Sequence, residues 1–327
     1  MTEKKRRFVG TLPLESVFAA PLKSTSSRPK PHCRSVVQVL DYSRPIDFLS
    51  EQEPYRDRGV TKAIDVNTVF LTARRCPVGC NMCDLHQFTR EDSPPVGASV
   101  EQIDFALDRL PPASWIKLYN SGNFFDAASL PTADYDAIAN RCNRYDRVIV
   151  ENHPRIGRGR HIEFFDKLDA RLEIAVGLET VHPRLLSKIG KQMTRGDFDR
   201  YAKWMSQHGI DLRVFLIVGA PDMSISDAIR WALLSARHAA RQGARHISLI
   251  PARQGAGWGN ASISLPHLSL SILSELFEQA LEISDRSCIS IDLWEFKEEE
   301  LLPDDQNRLR WLSEAILKQR TIMQDAV

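Results

Sequence analysis

Between residues 65 and 250, short apolar stretches alternate with amphipathic ones, and no other feature constrains the fold as much. VNTVFLTA (66–73), WIKLY (115–119), RVIVEN (147–152), LEIAVGLE (172–179), LRVFLIV (212–218) and HISLI (246–250) are rich in β-branched and apolar residues and short enough for strands. Between them, the spacing predicts helices near 99–109, 132–144, 160–168, 194–208 and 224–242. Nearly continuous apolar strands separated by helices belong to a parallel sheet covered on both faces, with right-handed crossovers. Six such units predict an α/β fold, a partial (β/α)6 TIM-like barrel, whose chemistry belongs at the C-terminal strand ends.

The barrel is expected over 61–255. Residues 1–60 read as a basic, partly irregular N-terminal arm: residues 1–34 hold eight Lys/Arg against two acids, with a Ser/Pro-rich stretch, KSTSSRPKPH. Residues 256–327 read as a C-terminal extension, with helices near 267–285 and 306–320 and a further strand candidate in ISIDLWEF (289–296). A net charge of +1 excludes a globally basic nucleic-acid binder, though not a local basic patch. No run of about 18 apolar residues exists to span a membrane, and MTEKKRRFVG lacks the apolar core of a secretory signal. A cytoplasmic location without membrane association is therefore expected, where disulfides rarely persist.

Three of the six cysteines, Cys76, Cys80 and Cys83, crowd into RRCPVGCNMCDLH directly after the strand at 66–73, spaced C-x3-C-x2-C. Three thiolates on one loop suit a soft metal centre, an iron–sulfur cluster above all. With only three protein ligands, one iron of a [4Fe–4S] cubane keeps an open position. Pro77 and Gly79 help the loop wrap such a bulky group. The competing metal is structural zinc with His86 as fourth ligand, in a non-enzymatic binding protein. Cys33, Cys142 and Cys288 stand alone and read as structural or free thiols.

A C-x3-C-x2-C motif after the first strand of a six-unit α/β chain resembles the signature of the radical S-adenosylmethionine (SAM) superfamily, over about residues 60–255. The resemblance implies a radical SAM-type partial barrel and two cofactors, a [4Fe–4S] cluster on Cys76, Cys80 and Cys83 and SAM on the open iron. It implies an enzyme in which reductive cleavage of SAM yields a 5′-deoxyadenosyl radical that abstracts hydrogen from substrate, with an electron donor such as flavodoxin or ferredoxin. SAM contacts are expected at Ser121, Gly122 and Asn123, where the family often has Gly-Gly-Glu. They are also expected at Glu179, at Gly219 and Pro221 of IVGAPD, and at Arg195 for the SAM carboxylate. Glu151 and His153, with Asn152 beside them, are the candidates for substrate contact and catalysis.

CNMCDL, SGNFFD, VEN-x-P, GLET and DLWEF are similar to the branch holding the elongator-type catalytic subunit and the archaeosine-forming enzyme, which act on tRNA bases. Against that, the chain is short and neutral and shows no second cysteine triad, cobalamin domain or RNA-binding module. A small metabolite or biosynthetic intermediate is expected as substrate ahead of tRNA, and the oligomeric state stays open.

Overall fold

The computed structural model describes residues 40–57, 59–157, 159–253, 257–259 and 264–321. Its strands are β1 (Asp47–Asp57), β2 (Val60–Phe70), β3 (Trp115–Tyr119), β4 (Arg147–Glu151), β5 (Arg171–Glu179), β6 (Asp211–Val218), β7 (Ala244–Pro251) and β8 (Cys288–Ile291). They form one sheet in sequential order, antiparallel between β1 and β2 and parallel from β2 to β8. The sheet curls into a nearly closed barrel, with β8 returning beside β1.

All six expected strands are present, and the sheet outgrows them at both ends. β1 lies inside the stretch expected to be irregular. Its polar sequence, DFLSEQEPYRD, carries no apolar alternation, and its pairing along the whole length of β2 is what makes it a strand. ISIDLWEF supplies β8, so the sheet also takes in part of the expected C-terminal extension. Residues 1–39 of the basic arm, Cys33 among them, lie outside the described residues.

The helices are α1 (Ala98–Leu107), α2 (Tyr135–Cys142), α3 (Arg160–Phe165), α4 (Pro183–Ile189), α5 (Arg195–Gln207), α6 (Ile225–Arg241), α7 (Leu270–Leu281) and α8 (Pro303–Lys318). Only α4 was not foreseen; seven residues are too few for periodicity to show. Thr194 and Asp197 form a reciprocal capping box that starts α5, and the Ser224 side chain caps α6. Ala228, Ala232, Ala236 and Ala239 are all buried along one face of α6, and their small side chains let it approach the sheet closely.

The outward strand residues, such as Ile116, Leu118, Val148, Val150, Val214 and Leu216, are buried in one continuous core. Each contributes about 1.5–3 kcal/mol. Cys142 and Cys288 are buried free thiols.

The barrel interior is layered. At the N-terminal strand ends, Glu173 accepts hydrogen bonds from Arg147, Arg213 and Arg245, and Arg213 also forms a two-bond pair with Glu53. Lys117 joins Glu53 and Glu51. Above this lattice lie the rings of Phe70, Tyr119 and Phe215, each within about 6 Å of the next. The C-terminal strand ends, with the cysteine loop, close the other end.

Candidate functional site

The loop after β2 is pinched at its base by a bridge between Arg74 and Arg90, where Arg75 N–H donates to Arg90 and Arg90 N–H to Ala73. Its tip docks through backbone bonds, Asn81 N–H donating to Ile189 C=O at 2.7 Å and Trp258 N–H to Asn81 C=O at 2.6 Å. The Gln192 amide donates to Val78 C=O at 3.0 Å. Val78 is buried against Ile156, Leu185, Ile189 and Ala220, with Trp258 packed on the same cluster. The loop from Arg74 to Arg90, with one short 3-10 turn at Leu85–Phe88, thus holds a defined shape.

Cys80 is buried and Cys76 and Cys83 are partly so. Burial pushes all three thiols up, Cys83 to about 12, with the Lys191 ammonium opposing the shift at each. The neighbouring cysteines add to the upward shift at Cys80 and Cys83. Among the described residues, no three His, Cys, Asp or Glu side chains converge as the ligands of one metal ion would. A tetrahedral zinc would bring sulfurs to about 3.8 Å of one another, whereas a cubane spreads its cysteines over separate corners. Three thiolates are soft donors of the kind that hold an iron–sulfur cluster. His86, the proposed fourth zinc ligand, has Nδ1 3.1 Å from the Cys83 carbonyl oxygen.

The turn after β3 stands against this loop. The Asn123 amide donates to Cys76 Sγ at 3.1 Å, while its oxygen accepts from His153 N–H at 2.7 Å. A Cβ on Gly122 would lie 3.6 Å from Cys76 Cβ. Glu151 is the turn's internal brace: its Oε1 accepts from Asn120 N–H at 2.8 Å and from Gly122 N–H at 3.1 Å. Burial raises its pKa above the usual carboxylate range, and the backbone donors pull it back.

At the end of β5, a bulge between Gly177 and Glu179 turns the Glu179 carboxylate inward, with Glu179 at φ +65°. Its Oε1 accepts from Lys191 Nζ at 2.6 Å, with 8% and 14% of the two side chains exposed. Burial works against the Lys191 charge, but Glu179 and then Cys80 more than offset it, and the ammonium is held well above its ordinary range. A Cβ on Gly177 would stand 2.1 Å from Glu179 Oε1 and 2.5 Å from Lys191 Nζ, so the pair occupies the space a side chain there would take.

At the end of β6, Gly219 (φ +89°) packs so tightly on Pro266 that a Cβ would come to 2.7 Å of it. Pro221 follows, lining a pocket with His182, Arg184 and Trp231.

The structure thus brings Cys76, Cys80, Cys83, Ser121, Gly122, Asn123 and Glu179 to one end of the barrel, with Gly219 and Pro221 on the same rim. Three expectations change. Arg195 sits exposed in the first turn of α5, and the cation that reaches the thiols is Lys191, which was missed because no charge pattern marks it. The signal available was Gly190, whose left-handed φ of +70° ends α4 and turns the next residue inward. Glu151 is committed to the β3 turn. His153 is committed too: its Nδ1 accepts from Arg155 N–H at 3.2 Å, so Nε2 carries the proton and donates to Lys191 C=O at 2.9 Å. Burial, then Lys191, depresses its pKa to about 3. Asn152 likewise bonds the backbone of Phe125, His153 and Ile156. All three face inward as scaffolding.

Six described non-glycine residues have positive φ, and five of them, Ser121, Glu179, Gln192, Asp222 and Trp258, surround this site. Such conformations cost about 1–3 kcal/mol each and gather where function requires them.

No protein-family model and no curated protein matches the chain. Solved structures do. SuiB of Streptococcus suis bound to its precursor peptide SuiA matches with a TM-score of 0.53 at 10% identity, over 76% of this chain and 54% of that one. SuiB bound to S-adenosylmethionine matches with a TM-score of 0.50 at 13% identity, over 67% and 48%. A radical SAM methyltransferase from Sphaerobacter thermophilus gives 0.49 at 15% identity, over 75% and 78%. The chain has the radical SAM fold. It spans about half the length of the SuiB structures. Among the described residues, no helix is long and apolar enough to cross a membrane.

Proposed function

We infer that the chain is a radical SAM enzyme in which Cys76, Cys80 and Cys83 hold a [4Fe–4S] cluster. The observation that carries this reading is the placement of three cysteines on one docked loop, Cys76 in hydrogen-bond contact with Asn123, beside a buried Glu179–Lys191 pair at the C-terminal end of a parallel barrel. Bound there, a cluster and SAM would supply radical chemistry for hydrogen abstraction.

The chain's own residues divide the remaining work. Asn123 donates a hydrogen bond to the Cys76 sulfur, which favours its thiolate. Lys191 supplies positive charge to all three thiolates and offers a donor for the SAM carboxylate. The Glu179 oxygen not engaged by Lys191 offers an acceptor for the SAM ammonium or ribose. Ser121 and Gly122, braced by Glu151, present backbone groups toward the same space, and Gly219 and Pro221 would border the adenine. His153 positions Lys191 through its carbonyl. The rings of Phe70, Tyr119 and Phe215 form an apolar floor suited to a small-molecule substrate.

A second reading, a nucleic-acid substrate, draws on one observation. The described chain begins at Leu40, whose carbonyl accepts from Arg90 at the base of the cysteine loop, and the sequence before it is basic.

The test is anaerobic reconstitution followed by reduction with dithionite and SAM. Release of 5′-deoxyadenosine and methionine by the parent, lost in Cys80→Ala, is the expected result. A colourless protein that retains zinc and leaves SAM intact would overturn the reading.

A further inference from the structure

The barrel lumen above the ion lattice has two unlike sides. Strand alternation turns Phe70, Tyr119 and Phe215 inward, and Ser248 and Ser290 with them. Register sets the last three side by side, Phe215 against Ser248 and Ser248 against Ser290. All five are half-buried, whereas Leu118, Val214, Leu216, Leu249 and Ile289, outward on the same strands, are sealed. Surface left on the inward residues and none on their outward neighbours marks a space inside the barrel. Its floor is the three rings, and one wall carries the two hydroxyls.

The hydroxyls belong to a chain of hydrogen bonds whose direction is fixed. Ser290 Oγ donates to Ser248 Oγ at 3.1 Å and lies 2.8 Å from His246 Nε2. A hydroxyl has one proton, so Ser290 must accept from His246 Nε2–H. Burial and then the Arg213 charge depress the His246 pKa well below its ordinary range, so the ring is neutral and holds that one N–H. His246 is buried, whereas Ser248 keeps some surface, and the Ser248 proton has no acceptor among the described residues. The chain therefore ends as a donor presented to the lumen.

Charge narrows what such a donor can meet. Among the described residues, the cations around the lumen are already bonded to carboxylates. Lys117 and Arg213, below the rings, bond to Glu53, Lys191 to Glu179, and Arg253 at the rim to Asp292. Asp47, opposite Phe70, is an exposed acid. An anion entering here would shed water with no free counter-charge to replace it. An uncharged carbonyl meets the donor without that cost.

Given the radical reaction proposed above, on which this rests, we propose that Ser248 is a specificity-determining residue. The substrate presents an uncharged carbonyl to Ser248 and lays an apolar body over the Phe70, Tyr119 and Phe215 rings. Ser290 is a positioning residue that acts through Ser248.

Titration of the anaerobically reconstituted, SAM-bound chain with benzamide and separately with benzoate, followed by ligand-observed NMR, tests this. Benzamide should saturate, and benzoate, similar in shape but anionic, should bind about tenfold more weakly. Ser248→Ala should weaken benzamide about two- to tenfold, the worth of one neutral hydrogen bond. Ser290→Ala should weaken it as well, and Ser290→Thr, which restores a hydroxyl, should recover it. Melting curves establish that each variant folds. No saturable benzamide binding, preference for benzoate, no effect of Ser248→Ala, or no recovery in Ser290→Thr would each overturn the assignment. Benzamide binding is read without turnover, so it fails independently of 5′-deoxyadenosine release, the readout of the cysteine site.

Discussion

Gly177→Ala is the sharpest test of the Glu179–Lys191 pair, because it leaves every cysteine and every charge in place. The added Cβ would stand 2.1 Å from Glu179 Oε1 and 2.5 Å from Lys191 Nζ, distances no Cβ tolerates. Both atoms end flexible side chains, and the backbone at 177 is not left-handed, so the side chains give way and the sheet stays. Losing a charge-assisted hydrogen bond at so buried a site costs about 1.5–3 kcal/mol. At about 2–4 °C per kcal/mol, the melting temperature should fall by about 3–12 °C. The same displacement moves the ammonium from the place proposed for the SAM carboxylate, weakening SAM about ten- to a hundredfold. Equilibrium binding of SAM to the anaerobically reconstituted variant reads the second effect, and iron content controls for the cluster. SAM affinity equal to the parent's, alongside a lowered melting temperature, would show that the pair serves stability alone and refute the assignment.

Anaerobic reconstitution should give about four irons per chain, and Cys76→Ala, Cys80→Ala or Cys83→Ala should each abolish this, while Cys142→Ala keeps it; iron analysis decides. Glu173→Gln weakens the partner of three buried arginines and should destabilise the fold by about 3–5 kcal/mol in urea titrations. Full stability in that variant would show that solvent reaches the barrel base. His161 is fully buried, bonded to Tyr201, and its pKa is depressed to about 3, first by burial and then by Arg160. A depressed histidine contributes stability fully above its unfolded pKa of about 6.5 and loses it as pH falls toward 3, at up to about 1.4 kcal/mol per pH unit. His161→Gln should flatten that part of the stability profile, and an unchanged slope would place the acid sensitivity elsewhere.

The six apolar strands and the cysteine loop were legible in the sequence because each signal is local. A β-branched run of five to eight residues marks a buried parallel strand wherever it pairs, and three cysteines within eight residues share one loop under any fold. β1 was not legible, since DFLSEQEPYRD becomes a strand only by pairing along β2. Nor were the roles of Glu151 and His153. Position at a strand end suggested an open rim, but their hydrogen bonds run to the turn at 120–122 and to the carbonyl of Lys191.

What the sequence determined by itself was therefore the fold class and the loop that gathers three cysteines at one end of the barrel, both consequences of periodicity and short spacing. What only the tertiary structure decided was which charges meet. Lys191 lies twelve residues beyond Glu179, and Arg213 forty beyond Glu173. Barrel closure and the turn at Gly190 bring these pairs together inside a low-dielectric interior. Burial then makes each pairing consequential, and no one-dimensional pattern encodes burial of that kind.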